Sequence, residues 1–364
     1  MRVLVVNPIP YTSETKNIQR AKSIKDTMIY DLCLSFHQEG HDVTLFCAEP
    51  FRPTEEESYP FQVLWCKSVW QRIFQPHRFP VIPEIWKYIR NNRKDIDLIV
   101  SSEVFSMNSL MAYRIAPDKT VIWHELAKHN AMLKQVPSKI WYNIVARSLM
   151  SKAKISARSN EAKAFIARFC KNVSDTVIDH GVNLDKFQTS EEKDNTFVVC
   201  SQLIERKKID GILRHFAEYL QQYDPAGKLT IIGEGEKKEA LVRLAEELNI
   251  TDHVVFTGKL PHEKIVPTLS RAQALLVNTV QDNNMISIVE SIAVGTPVLT
   301  TEVPLNAAYI KSARLGIAKT GWNAQDLHLI KENNAEFAAN CLQYRQTLST
   351  RSRVDQLIAA LRRK

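Results

Sequence analysis

The chain has 364 residues, 45% hydrophobic and 24% charged, with a net charge of +8. That is enough for two α/β domains. No apolar run is long enough for a membrane-spanning helix, and Met1-Arg2 leads straight into Val3-Leu4-Val5-Val6, unlike a signal peptide. The six scattered cysteines form no Cys-x-x-Cys and read as free thiols of a reducing, cytoplasmic setting.

Apolar runs of strand length alternate with helix-like stretches almost throughout. In the first half the strands are expected at 2–6, 42–46, 61–65, 97–101, 119–124 and 175–179. Helices are expected at 24–38, 104–114, 138–151 and 159–169. The alternation restarts with strands at 196–200, 228–232, 253–257, 274–277 and 297–300. Helices at 207–221, 236–248, 262–270 and 285–294 separate them, and 334–362 reads as helix without strand. Such alternation predicts parallel sheets of βαβ units, here two doubly wound domains. The polar run 189–195 is the expected linker. Residues 1–180 carry 25 Lys/Arg against 18 Asp/Glu, and 181–364 carry 23 against 22. The basic half is therefore expected to meet an anionic substrate or surface.

Ligands of open parallel sheets sit beyond the carboxyl ends of the strands. His124 ends the strand of Thr120-Val121-Ile122-Trp123-His124-Glu125, with Lys128 and His129 following. The first loop, Asn7 to Asn17, contains no glycine. Asp95-Ile96-Asp97 spells a metal motif but precedes its strand, where a ligand site is not expected. Two aromatic and cationic stretches, Trp70–Pro80 and Trp86–Lys94, leave two readings open: an anionic bilayer face, or an amphipathic helix packed on its sheet. No nucleic-acid-binding motif is present.

Four segments of the second half carry chemistry. Gln202, Arg206 and Lys207 follow the strand 196–200 and could pair with a diphosphate. Gly233 and Gly235 allow a tight turn after 228–232. Gly258, then Leu260, follow the strand 253–257, where a flat base could approach. Finally Asp282 and Glu290 stand eight residues apart around a helix start, before Gly295-Thr296-Pro297-Val298. Backbone N–H groups at a helix start hold phosphate well.

Together with Asp179-His180-Gly181-Val182-Asn183-Leu184-Asp185-Lys186-Phe187, these segments resemble retaining glycosyltransferases of family GT4 (glycosyl transferases group 1). The resemblance implies the GT-B fold: two facing doubly wound Rossmann-like domains with a deep interdomain cleft. Residues 1–180 would bind the acceptor, 181–345 the nucleotide sugar, and 346–364 would form a C-terminal helix returning to the first domain. Glu290 would take the ribose hydroxyls. The amides of Asn284, Met285 and Ile286 would hold the distal phosphate. Asp282 would touch the sugar, Lys207 would neutralise the diphosphate, and His124 would lie near the transferred sugar. Gln202 replaces the family's usual Arg, which leaves two readings open: Arg206 substitutes for it, or diphosphate binding rests on Lys207 alone; the glycines usual around Asn283 and Met285 are missing. The implied reaction is metal-free transfer from a nucleotide sugar, with UDP the expected nucleotide and no other cofactor. The expected acceptor is a saccharide or lipid-linked saccharide of bacterial surface-polysaccharide or glycolipid assembly, at the inner face of the plasma membrane. Rival readings are a sugar-nucleotide epimerase or a phosphorylase of the same fold, and a non-catalytic partner subunit.

Overall fold

The computed structural model describes every residue except 12–17, 19, 73, 74, 76, 128–134, 180, 283 and 364. It divides into two compact units. Unit 1 comprises Met1–Asn183 and Thr350–Lys364, and unit 2 comprises Leu184–Ser349.

Unit 1 holds a parallel sheet of β1 (Arg2–Val6), β2 (Asp42–Ala48), β3 (Gln62–Cys66), β4 (Leu98–Ser102), β5 (Thr120–His124) and β6 (Lys154–Ala157). Their order is β3-β2-β1-β4-β5-β6. Val3 to Val6, Leu98 to Val100 and Val121 to Trp123 are all buried, as expected of strands covered on both faces. The sixth strand differs from the expected one. Lys154–Ala157 pairs with β5, whereas 175–179 forms no strand. The latter segment is tied to the sheet edge by isolated bonds, Ile178 N–H to Ala157 carbonyl and the Trp123 indole to Ile178 carbonyl.

The helix Pro83–Asn92 settles one open choice. Its Ile85 and Ile89 are fully buried in the core formed with Phe46, Ile96 and Ile99. Packing on the sheet, not exposure to a bilayer, accounts for that helix. Asp95 and Asp97 lie just before β4, where Asp97 accepts the Arg2 amide at 2.7 Å. The last helix, Thr350–Arg362, inserts Val354 and Leu357 beside Cys33 and Phe36 of the helix Met28–Gln38. Gly181 makes this possible: a Cβ there would lie 2.8 Å from the Thr350 Cα.

Unit 2 repeats the plan with β7 (Thr196–Cys200), β8 (Lys228–Ile232), β9 (Val254–Gly258), β10 (Ala274–Leu276), β11 (Val298–Thr300) and β12 (Gly316–Ala318), ordered β12-β11-β10-β7-β8-β9. Both sheets therefore run outward from their first strand in two directions. Residues 189–195 belong to unit 2 and are pinned there. Lys193 donates to the Ser270 carbonyl at 2.7 Å, and Asp194 pairs with Arg271 at 2.8 Å.

Candidate functional site

In each sheet the strand order reverses beside the first strand, and ligands of such folds bind there, beyond the carboxyl ends. In unit 2 the reversal lies between β7 and β10. The loops that follow are 201–208 and 277–285. Backbone bonds knit them together: the Val280 N–H and the Thr279 hydroxyl both donate to the Arg206 carbonyl, at 3.0 and 3.2 Å. Lys208 adopts a left-handed φ of 47°, turning the short helical turn Glu205–Lys207 into the helix Ile209–Gln222.

This pairing brings Lys207, Arg206 and Asp282 together across 75 residues of sequence. Arg206 Nη1 lies 2.9 Å from Asp282 Oδ2 and also donates to the Gln281 carbonyl at 2.8 Å. The Lys207 ammonium donates to the same Oδ2. Lys207 and Asp282 are only 10% and 17% exposed, so their charges are held largely out of water, where they interact strongly. Gln202 is exposed, and the Arg206 guanidinium is held on the 281–282 loop.

Glu290 lies on the helix Ile286–Ala293, mostly buried, 3.0 Å from His262 Nε2. Burial, with the nearby Glu290 carboxylate adding, pushes the Cys200 thiol up to about 12, so that sulfur is inert. His262 begins the helix His262–Arg271 and packs edge-on against Phe187. Sequence reasoning gave it no role, although it follows Leu260 by two residues.

At the helix start one expectation is corrected. Met285 donates its amide to Asn306 Oδ1 at 2.7 Å, so it is already satisfied within the fold. Asn284 and Ile286 are the remaining two of the three expected amides, and Asn283 lies outside the described residues. Gly233 has φ 142°, and a Cβ there would stand 1.9 Å from the Ser201 carbonyl oxygen. Its amide donates to the Gly258 carbonyl at 2.9 Å. Gly258 is approached by the Glu234 carboxylate, and Leu260 is half-buried beyond it.

In unit 1 the reversal lies between β1 and β4. Beyond these strand ends is a cavity of about 1230 Å³. Asn7, Glu103, Glu125 and Arg158 line it from the ends of β1, β4, β5 and β6, and Phe79, Phe105 and Trp141 make its walls largely apolar. Glu103 is held by the amides of Glu125 and Leu126, at 2.8 and 3.4 Å. Arg158 pairs with Glu125 at 2.8 Å and stacks 3.8 Å over Trp123. His124 is fully buried, not on the cavity wall. Its Nδ1 lies 2.8 Å from Glu103 Oε2, outside hydrogen-bonding alignment, and its ring stacks with Phe165. The side chain that lines the cavity here is Glu103, which sequence reasoning passed over. Lys128 and His129 lie outside the described residues. Among the described residues, no group of three His, Cys, Asp or Glu gathers as a metal site.

Two family sequence models match in tandem. Glycosyltransferase Family 4 covers residues 26–186, and Glycosyl transferases group 1 covers 183–332. The chain belongs to the GT4-type glycosyltransferases. Among its relatives, the alpha-monoglucosyldiacylglycerol synthase of Streptococcus pneumoniae is 27% identical over 35% of this chain and 32% of its own length. The GDP-mannose-dependent alpha-(1-6)-phosphatidylinositol monomannoside mannosyltransferase of Mycolicibacterium smegmatis is 40% identical over 20% of this chain and 19% of its own. The matches thus span about a third or less of these curated relatives. Anabaena HepE, solved in complex with UDP, aligns over the whole of both chains with TM-score 0.64 and 14% identity, which establishes the shared two-domain α/β fold of GT-B type.

Proposed function

We propose that this glycosyltransferase moves a sugar, with retention at the anomeric carbon, from a UDP-sugar held by unit 2 to a hydroxyl of an acceptor held by unit 1. The observation that carries this reading is the convergence of Lys207, Arg206 and Asp282 at the unit 2 switch point, with Glu290 on the next helix. In the nucleotide-free chain the carboxylate of Asp282 compensates both cations. A diphosphate takes over as their counter-ion and frees Asp282 to accept from sugar hydroxyls. Lys207 then stabilises the charge that grows on the leaving phosphate. Glu290, oriented by His262, accepts from the ribose hydroxyls. The Asn284 amide, just before the helix, and the Ile286 amide, at its first residue, meet the distal phosphate.

No protein nucleophile is needed. The bond from the anomeric carbon to the phosphate oxygen breaks, the bond to the acceptor oxygen forms, and the acceptor proton passes to the leaving phosphate. In unit 1, Glu103 faces the acceptor, and buried His124 acts only by positioning Glu103. UDP is favoured by the nucleotide bound in HepE, and GDP is the competitor because the mannosyltransferase relative is GDP-mannose-dependent. Relatives that make glycolipids, together with the basic first half, favour a lipid-linked acceptor and a peripheral place on the membrane. Among the described residues, no helix is long and apolar enough to cross a membrane.

The test is a thermal-shift screen of nucleotides and nucleotide sugars, since a ligand that binds only the native state raises its melting temperature. UDP-sugars are expected to shift the transition and GDP-sugars not. A shift by GDP-sugars alone overturns the choice of UDP, and no shift by any nucleotide overturns the donor site.

A further inference from the structure

We propose that Asn306 is a positioning residue of the donor site, holding the turn before the helix Ile286–Ala293 so that its amides face the distal phosphate. This rests on the donor reading above. The turn needs outside support. Its segment Asp282-Asn283-Asn284-Met285 contains no glycine. Met285 stands at the N-cap position with extended backbone, φ −85° and ψ 120°, and its side chain makes no capping bond. The helix is only eight residues long, too short to fix its own start.

Asn306 supplies that support. It is fully buried beyond the end of β11. Its Oδ1 accepts the Met285 amide at 2.7 Å, and its Nδ2 donates to the Tyr309 hydroxyl. The Met285 N–H can face only an acceptor, which fixes which side is oxygen. The backbone of Asn306 is itself held. It opens the helix Ala307–Ser312, where the Ile310 amide donates to its carbonyl at 3.1 Å. Tyr309 stacks on Tyr344 of the helix Asn334–Tyr344, with ring centroids 5.5 Å apart. The clamp is therefore built into the packed body of unit 2. Tethering the Met285 amide fixes the peptide plane between Asn284 and Met285. The amides of Asn284 and Ile286 lie one residue to either side, so their direction follows from that plane. Different groups hold the far end of the helix. Ser291 donates to the Thr296 carbonyl at 2.9 Å, and Lys193 to the Thr296 hydroxyl at 3.0 Å. Loss of Asn306 therefore loosens the phosphate end and leaves Glu290 beside His262.

The experiment is calorimetric titration of the full chain with UDP and with UMP, which lacks the distal phosphate; GDP and GMP form a second pair. The readout is the preference for the diphosphate, and wild type is expected to show one. Asn306→Leu keeps the bulk but removes the acceptor. It is expected to cut the preference roughly tenfold while the monophosphate binds as before, as for a buried amide left without its partner. Asn306→Asp keeps an oxygen for the Met285 amide and can accept from the Tyr309 hydroxyl, so it should restore the preference. Tyr309→Phe releases only the Nδ2 side and should narrow the preference less. It decides the matter where Asn306→Leu does not fold: no narrowing overturns the proposal. Melting temperature is read for every variant. The proposal is overturned if Asn306→Leu keeps the wild-type preference, if both affinities fall together, or if a folded Asn306→Asp restores nothing. Glu290→Gln, at the ribose, should weaken diphosphate and monophosphate alike. That loss beside an unchanged Asn306→Leu sinks this proposal and spares the donor site. A wild type that binds none of the four nucleotides sinks both.

Discussion

The two units share one strand order but solve different problems at the same topological position. At the switch point of unit 2 the loops are joined by hydrogen bonds to the Arg206 carbonyl and by Lys207 and Arg206 closing on Asp282, and His262 lies against Glu290. At the switch point of unit 1 the strand ends border a large, mostly apolar cavity, and His124 lies beneath its surface. The proposed division of labour fits this difference: a nucleoside diphosphate always presents the same anions and hydroxyls, which a fixed set of charges would hold, and an acceptor that varies in shape would suit an aromatic and aliphatic wall with a few polar groups.

The comparison can be broken most severely at Lys207. Lys207→Met should lower kcat for transfer roughly 100- to 1,000-fold, as for loss of one preorganised charge stabiliser, while the melting temperature changes little. A small loss, seen instead as a higher KM for donor, would move Lys207 from chemistry to binding. Next comes the backbone that shapes the unit 2 loops. Gly233→Ala puts a methyl against the Ser201 carbonyl at a φ only glycine adopts readily, and should cost about 3 kcal/mol in denaturant unfolding. An unchanged midpoint would mean that the 201–208 loop is not held as described.

A third test concerns stability and pH. Burial alone would raise the Asp224 carboxyl, but hydrogen bonds from Lys331, Asn195 and the Ala226 amide hold it down, at about 2. An unfolded Asp titrates near 4, so this pair's stabilisation is present above that pH and is lost as pH falls through about 2. Its size is about 2 kcal/mol. Lys331→Met should therefore lower stability at neutral pH and shrink the acid-induced loss between pH ~4 and ~2. Equal acid limbs for variant and wild type would contradict the assignment. The mildest effect belongs to unit 1. Glu103→Gln should raise the acceptor KM roughly tenfold, as for loss of a charge-assisted hydrogen bond, and leave nucleotide binding untouched. A change in nucleotide binding instead would erase the division of labour between the units.

The same contrast explains what could be read from the chain. The central strands β1, β4, β5 and β7 stand out because they are largely buried and so read as apolar runs, whereas the edge strands β6 (Lys154–Ala157) and β12 (Gly316–Ala318) were not expected. Lys207, Asp282 and Glu290 stand out because they match, in order, the motifs of the family that the chain resembles. His262 escaped notice because a partner that orients a carboxylate has no fixed spacing to it. The occupied Met285 amide could not be read either, since its acceptor, Asn306, lies 21 residues away. His124 and Glu103 were interchanged in prominence because burial, which decides which of two contacting groups faces a cavity, is a property of the packing around Phe165 and Tyr142. The edge strand was misplaced for a related reason: 154–157 and 175–179 are both short and only partly apolar, and only pairing with β5 separates them.

The central claim is that the charged switch point of unit 2 holds a nucleoside diphosphate. Calorimetric titration of UDP into wild type and Glu290→Gln tests it most directly. The account predicts saturable binding to wild type and about tenfold weaker binding to the variant, as for loss of a charged acceptor at the ribose. Equal affinities, or no binding to wild type by UDP or GDP, would contradict it.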